Sequence, residues 1–416
     1  MNRPAPTGDG ALAAASAPRP VTAWQATLAG FCASLVGIGI ARFAYTPLLP
    51  AIVAAKWFAA SSAAYLGAAN LAGYLAGAVL ARPAAKLVAA RGVVRAMMLL
   101  ASIAMLASAW PLSFGWFFVW RFASGLAGGG LMVLAATAVL PHVPPSRRGL
   151  ASGVIFMGVG AGIAASGTLV PLWLHHGLVA TWLGLGAISL ALTALAWRGW
   201  PDDGAHHVVP AASRRRGPGH AWTLGALYAG YALNATGLVP HMIFLVDFVA
   251  RGLGLGVQTG SAYWVLFGLG ALAGPVLTGH LADRIGFGRA LRLAYLIEAI
   301  AVALPALLPG AVWLVISSVV VGAFTPGIVP LALGRIHDAL PHDHAAQKAA
   351  WSRATTCFAL LQAAGAYGMS YLFSHDGGRY GQLFLVGSGA LLLALAIDLL
   401  VNAAGRAARH DGSPIG

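Results

Sequence analysis

GLASGVIFMGVGAGIAASGTLVPLWLHHGLVATWLGLGAISLALTALAW, residues 149–197, contains no Asp, Glu, Lys or Arg. It is too long for one helix across a bilayer, where about 20 apolar residues suffice. It reads instead as two spans, 150–174 and 180–198, joined at Leu174-His-His-Gly177. The continuous apolar run lacks the polar/apolar alternation that each strand of an outer-membrane barrel shows, so the spans are helices. The rest of the chain agrees: of 416 residues, 59% are hydrophobic and 9% charged, against about a quarter charged in a soluble domain. Such a composition excludes a soluble globular protein, and disorder with it, since a disordered chain needs low hydrophobicity and high charge.

Outward from that stretch, apolar segments fall at 24–47, 61–81, 96–112, 115–140, 150–174, 180–198, 221–246, 259–282, 290–309, 311–334, 353–373 and 381–401, twelve spans in all. With the amino terminus placed in the cytoplasm, Lys and Arg gather in the inward loops: Arg82, Lys86, Arg91 and Arg95, then Arg147 and Arg148, Arg214 to Arg216, and Arg284, Arg289 and Arg292. The outward loops carry Lys56, Arg251 and Arg379. This asymmetry orients a multi-pass chain with both termini cytoplasmic. The net charge of +14 therefore reflects topology, and no nucleic-acid partner is expected. Residues 1–22 read as a disordered cytoplasmic tail with no signal peptide. Residues 23–198 form a six-helix half, 199–220 a central cytoplasmic loop, 221–402 a second six-helix half and 403–416 a cytoplasmic tail. A weak repeat links the halves: Ala29-Gly30-Phe31 matches Ala229-Gly230-Tyr231 and Gly37 matches Gly237. Parallel repeats of this kind are expected in transporters.

After the eighth span comes Gly279-His-Leu-Ala-Asp283-Arg284-Ile-Gly286-Phe-Gly-Arg289, and the fourth span reads Arg121-Phe-Ala-Ser-Gly125-Leu-Ala-Gly-Gly-Gly130. Together they resemble the cytoplasmic loop signature and the fourth-span Arg-x-x-x-Gly pattern of the major facilitator superfamily. The first span, Gly37-Ile-Gly-Ile-Ala-Arg42-Phe-Ala-Tyr45-Thr-Pro-Leu-Leu-Pro50, and the second, Ala64-Tyr-Leu-Gly-Ala-Ala-Asn70-Leu-Ala-Gly-Tyr74, look like its YbfB/YjiJ bacterial subgroup. The resemblance implies an all-α fold of two pseudo-symmetric six-helix halves, a transport role, and a cavity lined by spans one, four, seven and ten. It implies Gly279, Asp283, Arg284, Gly286 and Arg289 as a gating loop, with Gly279 for close helix approach and Asp283 to cap or pair. The matching first-half loop, Gly77-Ala-Val-Leu-Ala81-Arg82-Pro83, lacks the Asp, and the fifth span lacks the Gly-Pro pair of the exporter pattern.

Charges inside spans carry the functional reading. Arg42 and Arg121 each sit within an apolar run, nearer its outer end. Burying an arginine costs from about 3 to above 10 kcal/mol by different measures, so such a residue faces a watery cavity or a partner. The alternatives are snorkelling to the outer interface or bonding to carbonyls. Substrate contacts are assigned to Arg42, Tyr45, Arg121, Asn234 and His241; Asn70, Gln362, Tyr74 and Tyr367 can add polar contacts or bond helices together. Glu298, the only glutamate, and His241, which titrates near neutrality when unperturbed, are the candidates for proton coupling, with buried structural roles as the alternative. Pro326 and Pro330 in the tenth span line a cavity or bend the helix. His337, His342 and His344 lack zinc-pair spacing, Cys32 and Cys357 lie in apolar runs, and neither a metal nor a cofactor is expected. No nucleophile elbow or nucleotide loop appears, so an enzyme is not expected. The expected function is secondary active transport of a small organic solute, anionic or polar, by a monomer coupled to protons. The alternatives are a drug or metabolite efflux pump of the same fold and a non-transporting membrane sensor.

Overall fold

The computed structural model describes residues 21–144, 147–201, 218–308, 310–341 and 343–410. The tail assigned to 1–22 lies outside these but for its last two residues, as do most of the central loop and the end of the carboxyl tail. The helices are α1 (Ala23–Ala54), α2 (Ala60–Leu87), α3 (Ala90–Ala107), α4 (Phe114–Val139), α5 (Arg148–Leu174) and α6 (Leu178–Ala196). After the central loop come α7 (Pro218–Val239, continuing to Gly252), α8 (Gly256–Ile285), α9 (Phe287–Leu307), α10 (Ala311–Ala339), α11 (His344–His375) and α12 (Tyr380–His410). Among the described residues, 11 helices are long and apolar enough to cross a membrane. The remaining long helix is α11, whose apolar run is broken by Arg353, Thr355 and Gln362. Thr355 and Gln362 face an internal cavity, which explains how a spanning helix can be that polar.

A backbone in lipid must satisfy its own hydrogen bonds, and helices do so within each segment. Two helices depart from regularity. In α1, the α-helix Ala23–Ser34 passes into a π-helix, Leu35–Ile40, and then a turn before Tyr45–Ala54. In α7, Pro240 opens a π-helical stretch, Pro240–Phe244, with a second over Phe248–Gly252. Proline lacks the N–H that a regular helix needs, and π-bulges expose carbonyls to other partners. The carbonyl of Ala41 accepts from Arg121 NH1 at 3.0 Å, and that of Met242 accepts from the Thr46 hydroxyl.

Glycine sets how closely α2 meets α4 and α8 meets α10. A Cβ on Gly125 would lie 1.8 Å from the Asn70 carbonyl oxygen, and one on Gly274 would lie 1.8 Å from that of Ala323. The Gly274 contact has its counterpart in the first half at Gly73, whose Cβ would lie 2.0 Å from the Phe122 carbonyl oxygen, so the two helix pairs pack alike at matching positions. Buried apolar residues form two clusters: Ala26 to Trp200 with a few residues of α7 and α11, and Leu224 to Ala394 joined by Ile38, Phe43, Val159 and Ile163. Contacts between them run along α5 with α8, where Trp264 Nε1 donates to Ser166 Oγ at 3.1 Å, and along α2 with α11, where the rings of Tyr65 and Tyr367 lie 6.3 Å apart. Ile103, Leu195, Ile300 and Leu400 stand exposed on α3, α6, α9 and α12, the outer helices whose apolar faces suit lipid.

Candidate functional site

Between the two clusters lies a cavity of about 360 Å³. It runs from mid-depth toward the end of the molecule that carries the basic α2–α3, α4–α5 and α8–α9 loops. Its walls are aromatic and apolar, with Phe43, Phe156, Tyr231, Trp351 and Phe358 prominent, and no Asp or Glu is among the lining residues. Among the described residues its one charged wall residue is Arg42, at the closed end. A larger hollow of about 660 Å³ opens at the opposite end between α1, α5, α6 and α8, beside Trp57, His175 and Gln258. No Lys, Arg, Asp or Glu lines it, so the deep cavity is the candidate site.

With α1 continuing to Ala54, Arg42 lies a little past the middle of its helix. It is buried, so snorkelling is not its role. Its NH2 donates to Gln362 Oε1 on α11 at 2.6 Å, and its guanidinium carbon lies 4.7 Å from the Tyr74 ring centre and 5.1 Å from that of Phe43, within reach of a cation–π attraction. Arg121 is also buried. Besides the bond to Ala41, it lies 4.3 Å from the centre of the Tyr45 ring, and the Tyr45 hydroxyl donates to the Ala63 carbonyl at 2.8 Å. Asn70 holds this corner by donating to Ser124 Oγ at 2.7 Å and to the Arg121 carbonyl at 3.2 Å. Arg42, Tyr45 and Arg121 therefore meet, but Tyr45 and Arg121 are absent from the main cavity wall. They line a separate void of about 20 Å³ that Arg42 shares.

Asn234 and His241 are turned away from the cavity, contrary to their assignment as substrate contacts. Asn234 Nδ2 donates to Glu298 Oε2 at 2.5 Å. Ser317 donates to the Ala301 carbonyl at 2.6 Å, so it accepts from His241 Nε2 at 2.7 Å; the Nε2–H tautomer is inferred from this network. The His241 ring packs against Phe384 and Phe267. The physical reason is helical phase: Tyr231, Leu238 and Met242 share the face of α7 that lines the cavity, and Asn234 and His241 fall off that face. Glu298 and His241, both fully buried, share neither a bond nor a wall. Sequence reading passed over Met242, Trp351, Thr355 and Phe358 because nothing in their residue types separates cavity lining from core.

At the basic end, Gly279 faces open space, since a Cβ there would meet nothing within 4 Å; close helix approach is not its role in this conformation. Gly286 ends α8 with φ +80°, a backbone suited to glycine. Asp283, Arg284 and Arg289 are exposed, and Asp283 makes no ion pair among the described residues. The pairing expected of Asp283 is made instead by Asp398 on α12, which meets Arg292 at 3.0 Å and Arg335 at 3.4 Å. Pro326 and Pro330 both line the cavity within an unbroken α10.

Comparison with solved structures shows the same architecture. A D-xylose–proton symporter matches with TM-score 0.71 at 17% identity, over 90% of this chain and 97% of its own. The xylose transporter XylE from E. coli, in an inward open conformation, matches with TM-score 0.69 at 16% identity over 90% and 95%. The nucleoside transporter NupG matches with TM-score 0.72 at 14% identity over 91% and 99%. By sequence, a chloramphenicol resistance protein of Streptomyces lividans is 29% identical over 299 residues, covering 67% of this chain and 70% of its own. The family described as the uncharacterised MFS-type transporter YbfB matches residues 34–399. This match, on the twelve-helix frame with its mid-depth cavity, shows that the chain is a multi-pass membrane transporter, not an enzyme, and belongs to the major facilitator superfamily in the YbfB-type family.

Proposed function

We propose that the protein is a proton-coupled secondary transporter of a small organic solute with an apolar or aromatic body and an anionic or polar head. The halves 23–198 and 221–402 rock about the cavity, and both termini face the cytoplasm of a bacterial cell. The observation that carries this reading is Arg42: a guanidinium at the closed end of an aromatic-walled cavity that has no acidic residue on its wall. Such a cavity offers stacking surfaces to a ring and a charge-assisted hydrogen bond to a carboxylate or other acceptor. Because the cavity extends toward the basic end, the conformation is read as inward-facing. The other end is sealed by Thr46 on Met242, by Phe244 against Phe373 with ring centres 5.3 Å apart, and by the buried Leu48, Leu49 and Val246.

Protons are proposed as the coupling ion because Glu298 keeps Oε1 without a partner in a helix where a carboxyl can be neutral or charged as it gains or loses a proton. The relation to a D-xylose–proton symporter in fold is compatible with this. The second reading is efflux of a neutral or hydrophobic drug, favoured by the apolar walls and by the chloramphenicol resistance protein among the relatives. A proton-flux assay tests both. Purified protein in liposomes with a trapped pH dye is challenged with pooled organic acids, sugars, amino acids and neutral or cationic drugs. A pH change driven by an organic acid supports the first reading, and one driven by a drug supports the second. Solute accumulation without a pH change overturns proton coupling.

A further inference from the structure

The void of about 20 Å³ behind the main cavity has two guanidinium groups on its wall, those of Arg42 and Arg121, together with Tyr45, Thr46, Gly67 and Asn70. We infer that this void is a binding site for a single halide ion, chloride in the cell, held between Arg42 and Arg121. The void is separate from the larger cavity where cargo is proposed to sit, although Arg42 lines both, and the inference does not depend on what the cargo is.

Charge balance is the first argument. A guanidinium keeps its proton in a protein, and an unpaired ion in a low-dielectric interior is strongly disfavoured. Both arginines are buried, and among the described residues neither forms an ion pair with a carboxylate. The buried Asp247 is engaged by Arg251 at 2.5 Å and by the Tyr380 hydroxyl at 2.6 Å, and Glu298 is engaged by Asn234. Carbonyl oxygens and aromatic rings supply partial charges to the pair, but no full negative charge. Two like charges sharing one void also repel each other, and an anion between them attracts both and halves the net charge of the pair.

Donor geometry and size are the second argument. Nε of Arg42 and Nε of Arg121 are buried and have no hydrogen-bond partner. The hydroxyls of Tyr45 and Thr46 already donate elsewhere, so the free N–H groups on the wall come from the two charged residues. Asn70 Oδ1, also unpartnered, is an acceptor and a mismatch for an anion, so the ion sits on the guanidinium side. A void of this size admits about one water-sized occupant, which rules out an organic acid while the larger cavity can take one. A water molecule would fill the space without balancing the charge.

The test uses the full chain in detergent, in sodium gluconate, titrated with chloride, bromide or formate at constant ionic strength. Tryptophan-monitored melting and equilibrium binding of radiolabelled chloride are followed together. The expected result is saturable binding of one chloride per chain, with a halide-specific rise in melting midpoint. Arg121→Gln should weaken binding by about tenfold, as expected for one charge-assisted hydrogen bond. If Arg121→Gln does not fold, the anomalous signal of bromide in crystals of the unaltered protein places the ion directly, and a peak in the void supports the site. Absence of saturable chloride binding overturns the inference, and so does bromide found only elsewhere. Stabilisation by formate but not by halide would assign the void to a carboxylate head and also overturn it. Halide binding by a protein that moves no solute would leave this site standing and remove the proposed transport function instead.

Discussion

Arg42 is the residue at which the sequence, the packing and the proposed chemistry meet. Its side chain crosses from α1 to Gln362 on α11, where an amide oxygen accepts the bond that a cargo oxygen is proposed to accept during transport. Replacing it by glutamine removes a charged hydrogen bond, worth about 1.5–3 kcal/mol. Once a cargo is known, Arg42→Gln should raise its KM in proteoliposomes by roughly ten- to a hundredfold. Arg42→Lys should recover only part of the loss, because an ammonium lacks the planar fork. Asn234 and Glu298 form a buried pair away from the cavity. Asn234→Ala leaves the Glu298 carboxyl without its hydrogen bond and should lower stability by about 1–3 kcal/mol. Glu298→Gln should lower it less, since an amide oxygen can still accept. Melting of the single and double variants should be non-additive, as expected of residues in contact.

At the scale of the helices, glycine decides how closely they pack. Gly125→Ala drives a methyl into the Asn70 carbonyl, a backbone atom that cannot rotate away, and so separates α2 from α4 at the Arg121 corner. Gly153→Ala on α5 places its methyl where nothing lies within 4 Å. The first substitution is therefore expected to abolish a monodisperse peak in size-exclusion chromatography, while the second leaves it intact; equal behaviour of the two would contradict the close packing. The π-bulges belong to this scale as well. They release the carbonyls of Ala41 and Met242 to side chains of other helices, the first to Arg121 and the second to Thr46.

Over the whole molecule, the cavity is closed at one end by contacts between the clusters and extends toward the other. Thr46→Val keeps the side-chain volume and removes the bond to the Met242 carbonyl, worth about 1 kcal/mol. That should shift the equilibrium toward the outward-facing form by about fivefold. The measurement is labelling of Ile243→Cys by a membrane-impermeant maleimide, in a background lacking Cys32 and Cys357. An unchanged labelling rate would show that Thr46 does not hold the seal.

The sequence by itself determined that the chain is a bundle of membrane-spanning helices in two similar sets, and it singled out Arg42, Arg121 and Gln362. These follow from local energetics, because lipid imposes helical hydrogen bonding on any long apolar run and makes each embedded charge conspicuous. Only the tertiary structure decided which way the side chains face. A residue's direction around its helix changes by about 100° per position, and which face of α7 meets the cavity depends on how that helix packs against its neighbours. Asn234 and His241 consequently point at neighbouring helices while Met242 meets the cavity. For the same reason Asp398, and not the exposed Asp283, pairs with the arginines at the basic end. Ion pairs between distant helices depend on which faces the packing brings together.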